Sequence, residues 1–174
     1  MASKAKIIGG LVGAAALSAT ALIIPFEGKR LVAYLDEPKI PSICYGHTTG
    51  VQLGDTASDQ DCVAFLIEDI KPVDEALTRL IKAKITEKYK AALISFTYNV
   101  GIGNFSKSTL LKKLNLGQHA QACDQLLNWV CVSTDKGKGD SEGHCMTSDK
   151  RMKISTGLVR RRQAENALCM EGIE

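Results

Sequence analysis

The rhythm of hydrophobic and polar positions changes several times along the chain. Ile7 to Phe26 is an uncharged run of twenty residues behind Lys4 and Lys6. After Glu27 and Gly28, the residues Leu31, Val32, Ala33 and Tyr34 predict a strand, a turn carries Asp36, Pro38 and Pro41, and Ile43 to Tyr45 predicts a returning strand. From Ser58 the spacing becomes helical: Ser58 and Asp61 signal a start, and Val63, Phe65, Leu66 and Ile70 recur toward Pro72. Val73 to Ile81 continues the pattern, so the two together predict one long helix. Thr86-Glu87 opens a helix through Ala91, Leu93, Ile94 and Tyr98 that is apolar on most faces and therefore central. Gly101 and Gly103 are expected to break it, Phe105 to plug the turn, and Ser108 or Thr109 to cap a helix carrying Leu110, Leu111 and Leu114. Gln118 to Val130 predicts a helix with Ala122, Leu126, Leu127 and Trp129 inward, a Gly-rich polar loop follows between Cys131 and Cys145, and a last helix starts near Ser155-Thr156.

With 174 residues, 45% of them hydrophobic and 24% charged, the chain is long enough for one well-cored, two-lobed domain and is not compositionally disordered. A net charge of +3 is modest, but Lys150, Arg151, Lys153, Arg160, Arg161 and Arg162 cluster late in the chain. Such a group is either a basic face that attracts anionic wall polymer or lipid head groups, or a solvated helix face. Nucleic acid is excluded as a partner, because the basic residues have no aromatic interleaving and no reading-head motif.

Two carboxylates stand out. Glu27 precedes Gly28, whose left-handed conformation would end a helix, and this puts the acid at a helix-to-strand corner. Asp36 falls at the hairpin end. A carboxyl pair facing one cleft is the minimal equipment for hydrolysing a glycosidic bond: one acid protonates the leaving oxygen, and the other carboxylate activates water or attacks the sugar. Nucleophilic catalysis by Ser or Cys is disfavoured, since no His falls in a motif with either.

Glu27-Gly28, Asp36 nine residues on, Ser42 and then Gly46-His47 resemble the signature of the phage-type lysozymes of glycoside hydrolase family 24. The passage Ser95 to Asn115 and the closing STGLVRRRQAE resemble the same family, so the likeness spans most of residues 23–170. Ser42 stands where the family has Thr, and Lys39 where its turn has Gly, so a differently built turn is expected. The resemblance implies an α+β, lysozyme-like fold, with a small β lobe from about Gly28 to Val51, a larger helical lobe, and a cleft between them. It implies peptidoglycan as substrate, cut at the β-1,4 bond between N-acetylmuramic acid and N-acetylglucosamine with inversion. Glu27 would be the general acid, Asp36 the base or electrostatic partner, and Ser42 the holder of the water. Tyr98, Asn99 and Asn104 would contact substrate on the cleft floor. His47 would brace the small lobe against an acid, and Arg161 and Glu165 would pair along one helix face. No cofactor or metal is implied, and the chain would act as a monomer. Two rivals remain from the residues themselves: a lytic transglycosylase, which needs only one acid, and a non-catalytic wall-binding protein.

The uncharged run can span a ~30 Å hydrocarbon core as a helix. Half of it, however, is Gly, Ala, Ser and Thr, which contribute little transfer energy. The cationic start predicts an N-terminus in the cytoplasm and export of the rest of the chain. A signal peptide cleaved at Ala19-Thr20-Ala21 and a permanent anchor are two readings. The third is that the run resembles the signal-anchor-release segments of certain phage endolysins, which gives residues 1–26 as a membrane segment and 27–174 as the catalytic domain. On that reading the protein sits first in the inner membrane and then in the periplasm. The family's Glu lies at the end of the first helix of the lysozyme body, and only Leu22 to Phe26 are available for that helix, so the tethered form is expected to be inactive.

Six cysteines in an exported chain predict disulfides in an oxidising periplasm. Cys131–Cys145 would close the Gly-rich loop. Cys44–Cys62 and Cys123–Cys169 follow if the hairpin packs on the next helix and the helical lobe closes on itself. A zinc site at Cys131, His144 and Cys145 is the alternative, but its spacing fits no common finger.

Overall fold

The computed structural model describes residues 13–36, 39–133 and 152–173. The first helix, α1 (Ala14–Ile23), carries no charge and buries one face, Ala15, Ala16, Ala19, Thr20 and Ile23, chiefly against the central helix α3 (Glu87–Val100). Small side chains allow the two backbones to approach closely. The N–H of Ala15 donates to Glu87 Oε2 at 2.8 Å, so an acid in the first turn of α3 satisfies the positive end of α1. The first helix therefore draws on ten residues of the uncharged run, beginning well before Leu22. Among the described residues no helix is long and apolar enough to cross a membrane.

After Ile23 the chain tightens into one 3-10 turn, Ile24–Phe26, with Pro25 inside it, and Glu27 leaves that turn extended at φ −98° and ψ 135°. Gly28 does not take the left-handed conformation expected of it; the proline turn and the extended Glu27 make the corner instead.

The small lobe is the antiparallel hairpin β1 (Arg30–Leu35) and β2 (Pro41–Cys44), in register at Tyr34↔Ser42 and Leu35↔Pro41. Its turn closes through Asp36 N–H to Ile40 O at 3.0 Å and through the N–H of Lys39 to Asp36 O. Lys39 sits at φ 71°. The turn thus places a lysine in the left-handed region, at a strain of roughly 1–2 kcal/mol. At the end of β2, Ile43 exchanges two backbone hydrogen bonds of 2.9 Å with His47. The Cys44–Cys62 disulfide, Cα–Cα 5.0 Å, ties the lobe to α2 (Asp59–Leu80).

The helix α2 is continuous through Pro72 and opens on a capping box between Ser58 and Asp61. The central helix α3 buries every residue from Ala91 to Thr97 and ends at Gly101, φ 87°. Gly103 does not break a helix; it lies inside α4 (Ile102–Lys107), and Ser108 caps α5 (Thr109–Asn115). The next helical segment is shorter than expected: α6 (His119–Asp124) gives way to a 3-10 turn, Gln125–Asn128, which rotates Leu127 out to 42% exposure while Leu126 and Trp129 stay inward. Two short strands with no clear signature in the sequence, β3 (Cys131–Ser133) and β4 (Met152–Ile154), pair antiparallel. Helix α7 (Thr156–Glu171) then packs on α3, joined to α6 by Cys123–Cys169. Its end meets the start of α3 so closely that Gly172 accepts a 2.7 Å hydrogen bond from Thr86 Oγ1. Cys131 is also disulfide-bonded, which removes its sulfur from the zinc alternative; His144 and Cys145 lie outside the described residues, as do Lys150 and Arg151.

Candidate active site

Glu27 stands where α1 hands over to the β lobe, its side chain 26% exposed. Its Oε1 accepts from Arg161 Nη1 at 2.6 Å. Arg161 comes from α7 and is held on its other sides, with Nε donating to Glu165 Oε1 at 3.1 Å and Nη2 to Ser95 O at 3.2 Å. Its guanidinium lies 5.9 Å from the centre of the Phe26 ring. Glu165 is fully buried; Oε1 also accepts from Ser95 Oγ at 2.7 Å, and Oε2 accepts from Arg162 Nη1. Arg162 donates from Nε to Trp129 O at 3.0 Å and from Nη2 to Asn99 Oδ1, and sits over the Phe96 ring at 4.9 Å. Burial lowers the Arg162 pKa from its ordinary value, and Glu165 counters that. Buried charges persist only when paired in this way.

Arg161 and Arg162 therefore belong to no basic face: they are 3% and 1% exposed, with their charge consumed inside the protein. The i,i+4 spacing made the Arg161–Glu165 pair legible, but no local signal pointed to Glu27, 134 residues away.

Asp36 is exposed at the hairpin end. Ser42, expected to hold a water, is fully buried with Oγ donating to Ile40 O at 3.2 Å. Tyr98 donates from its hydroxyl to Tyr45 O at 3.3 Å and so links α3 to the small lobe. Its pKa is raised by burial first, then by the charges of Asp69 and Glu27, against Arg161, so the phenol remains a donor. Asn99 receives Arg162, and Asn104 Nδ2 donates to Val100 O at 2.8 Å within the turn. Among the described residues, the two asparagines thus have internal partners while Tyr98 spans the lobes.

His47 is braced from three sides. Nδ1 lies 2.9 Å from Asp69 Oδ1, Nε2 lies 3.1 Å from Thr49 O, and the ring stacks on Phe65 with centroids 4.4 Å apart. Burial raises the Asp69 pKa and His47 pulls it back. Asp69 carried no mark in the sequence, since an acid on a helix 22 residues downstream is one of many.

A hairpin lobe hung on a long helix, beside a helical lobe whose first helix ends on an acid gripped by an arginine of the last, defines a lysozyme-like α+β fold. The phage lysozyme family profile matches residues 25–165, and the chain belongs to that family, the glycoside hydrolases of lysozyme type. It is similar to the SAR-endolysin of Enterobacteria phage P21, 32% identical over 98% of this chain and 97% of the relative. It is likewise similar to the SAR-endolysin of Escherichia phage Mu, 39% identical over 76% and 78%. Among solved structures it resembles the muramidase domain of SpmX from Asticaccaulis excentricus, with a TM-score of 0.76 at 29% identity over 88% of this chain and 95% of that one. An endolysin from Escherichia coli O157:H7 phage FAHEc1 gives a TM-score of 0.72 at 29% identity over 94% and 95%.

Proposed function

We propose that this chain is an endolysin that hydrolyses the β-1,4 bond between N-acetylmuramic acid and N-acetylglucosamine in peptidoglycan, for lysis of the host cell. The observation that carries the reading is the grip of Arg161 on Glu27 Oε1 at the corner where the first helix gives way to the small lobe. With one oxygen fixed, Glu27 presents the other to the glycosidic oxygen and acts as general acid. Asp36 stabilises positive charge on the sugar or activates water, and Ser42 serves the water after its hydroxyl turns from Ile40 O. Inversion requires carboxyl groups ~6.5–9.5 Å apart with substrate bound, against ~5–5.5 Å for retention. Tyr98, Asn99 and Asn104 line the substrate side, and the enzyme works as a monomer without a cofactor. A lytic transglycosylase has no use for Asp36, and its anhydro product distinguishes it.

Residues 7–26 first tether the protein in the inner membrane, with the N-terminus in the cytoplasm and residues 27–174 in the periplasm, and later leave the bilayer. The burial of α1 supports this: Ala15, Ala19 and Ile23 cannot lie in lipid and against α3 at once. The tethered enzyme then lacks the helix that carries Glu27, and release supplies it. Cleavage after Ala21 would remove most of α1, which disfavours an ordinary signal peptide. The disulfides Cys44–Cys62 and Cys123–Cys169 suit the oxidising periplasm.

The test is turbidity clearing of outer-membrane-permeabilised Gram-negative cells, with intact mass read on the same sample. Wild type at full-length mass clears, and Glu27→Gln loses at least ~100-fold of the rate. Equal clearing by the two proteins would overturn the enzyme assignment, and mass lost up to Ala21 would overturn the releasable tether.

A further inference from the structure

Resting on the assignment of Glu27 as the acid, we infer that Glu165, which has no exposure to the cleft, is a positioning residue for the hydrolysis: it aims the Arg161 guanidinium at Glu27 and offsets its charge. Both effects come from geometry. Three edges of the Arg161 fork are fixed, by Glu165 at Nε, by Ser95 O at Nη2 and by Glu27 at Nη1. A planar fork pinned in this way places its charge at one point relative to Glu27. Glu165 in turn is held between two guanidiniums and the Ser95 hydroxyl, so its own position is set by buried partners. The result is an alternating chain, Glu27, Arg161, Glu165, Arg162, in which each inner charge is shared by two neighbours. A general acid must be protonated to act, so an uncompensated guanidinium on Glu27 would oppose the reaction. Glu165 provides the compensation from the side that substrate never reaches.

The other groups facing Glu27 leave this role to Glu165. From α3 comes the Tyr98 phenol, and beyond it Asp69 of α2, paired with His47 of the small lobe. On its own strand side, Lys29 is paired with Asp59 and Arg30 lies over the Tyr34 ring at 4.3 Å.

The pH dependence of kcat/KM on soluble peptidoglycan fragments tests the inference, because its alkaline limb reports loss of the acid's proton. Glu165→Gln leaves the Arg161 charge less compensated, and the alkaline limb moves down by about one pH unit, so activity falls up to ~10-fold above the limb and recovers on its acid side. Ser95→Ala removes a donor from Glu165, leaving its charge to act more fully on Arg161, and moves the limb the other way by a fraction of a unit. A merely structural Glu165 would lower kcat at every pH and leave the limb in place, and that result overturns the inference. If Glu165→Gln does not fold, Ser95→Ala decides alone: an upward shift supports the inference and an unmoved limb overturns it. Failure of the underlying reading looks different, because Glu27→Gln would then keep its activity.

Discussion

Ile23→Ala and Leu17→Ala remove similar amounts of hydrocarbon from the same uncharged run, yet the fold gives them different consequences. Ile23 has no exposure, closes α1, and accepts the Glu27 N–H at its carbonyl at 3.3 Å. Leu17 lies on the opposite side of the same helix and is 52% exposed. Truncating a fully buried Ile costs the transfer energy of the lost groups plus a cavity term, about 2–5 kcal/mol. The buried face of α1 is otherwise Ala15, Ala16, Ala19 and Thr20, side chains too short to fill the gap, so about 3–4 kcal/mol is expected here. Leu17→Ala should cost no more than about 0.5 kcal/mol, as for other surface truncations. In a chain of this length 1 kcal/mol is worth roughly 2–4 °C, so Ile23→Ala should lower Tm by roughly 6–16 °C and Leu17→Ala by about 2 °C or less. The measurement is thermal unfolding of the released, soluble protein followed by circular dichroism, with clearing activity on the same samples. In lipid the two substitutions are nearly equivalent, so the contrast isolates the docked state. Equal Tm shifts would refute the placement of α1 in the core and the argument that release completes the active site.

Gly172→Ala should destabilise by about 1–3 kcal/mol in urea unfolding, as overpacking does. Its φ of −89° is ordinary, but a Cβ there would lie 2.5 Å from Tyr89 N; unchanged stability would mean that the end of α7 does not rest on α3. Lys39→Gly relieves roughly 1–2 kcal/mol of left-handed strain against roughly 0.5–1 kcal/mol of added chain entropy, for a net gain of about 0.5–1 kcal/mol in Tm-derived stability. A loss would place the turn elsewhere. Asp61 accepts hydrogen bonds from the Ser58 hydroxyl and N–H, which hold its pKa below the ordinary 3.8. It therefore contributes stability above that value and loses it as pH falls through the folded value. Asp61→Asn should be less stable than wild type at pH 7, with the gap closing below pH ~3.8 in urea titrations; a gap constant with pH would deny the capping box.

Signals that act over three or four residues were legible. Ser58, Thr86, Ser108 and Ser155 each cap the helix their position announced, because a hydroxyl before a periodic run needs no distant partner to do so. The Glu27–Asp36–Ser42–His47 passage could likewise be placed on a corner and a hairpin, since strand, turn and return are consecutive. The features hidden in the sequence depend on partners far along the chain. Arg161 and Arg162 read as surface charge because, apart from Glu165 on their own helix, their partners Glu27, Asn99 and Trp129 O come from other elements. Asp69 is ordinary until the hairpin folds back on α2. Leu127 keeps helical period in its spacing, and only the change to a 3-10 turn after Asp124 turns it outward. Lys39 is a further case: its left-handed backbone at φ 71° is a conformation that a lysine in the sequence does not announce.

The proposed release gives α1 two places to be, and its composition suits both. Packing against α3 needs Ala15, Ala16 and Ala19, because those positions are almost without exposure and any branched side chain would push the helices apart. The same residues weaken the run as an anchor, since alanine and glycine gain little on entering lipid. The two requirements therefore agree in sequence while competing for the same atoms: each enlargement that strengthened the anchor would also obstruct the dock. The bonds that end this competition lie outside the run. Glu87 satisfies the Ala15 N–H at the start of the helix, and Arg161 holds Glu27 just beyond its end. Both partners belong to the body of the enzyme. On the proposed release, a polar contact at each end of the docked helix would let a run of marginal hydrophobicity prefer the protein to the bilayer, and would couple that preference to the placement of Glu27.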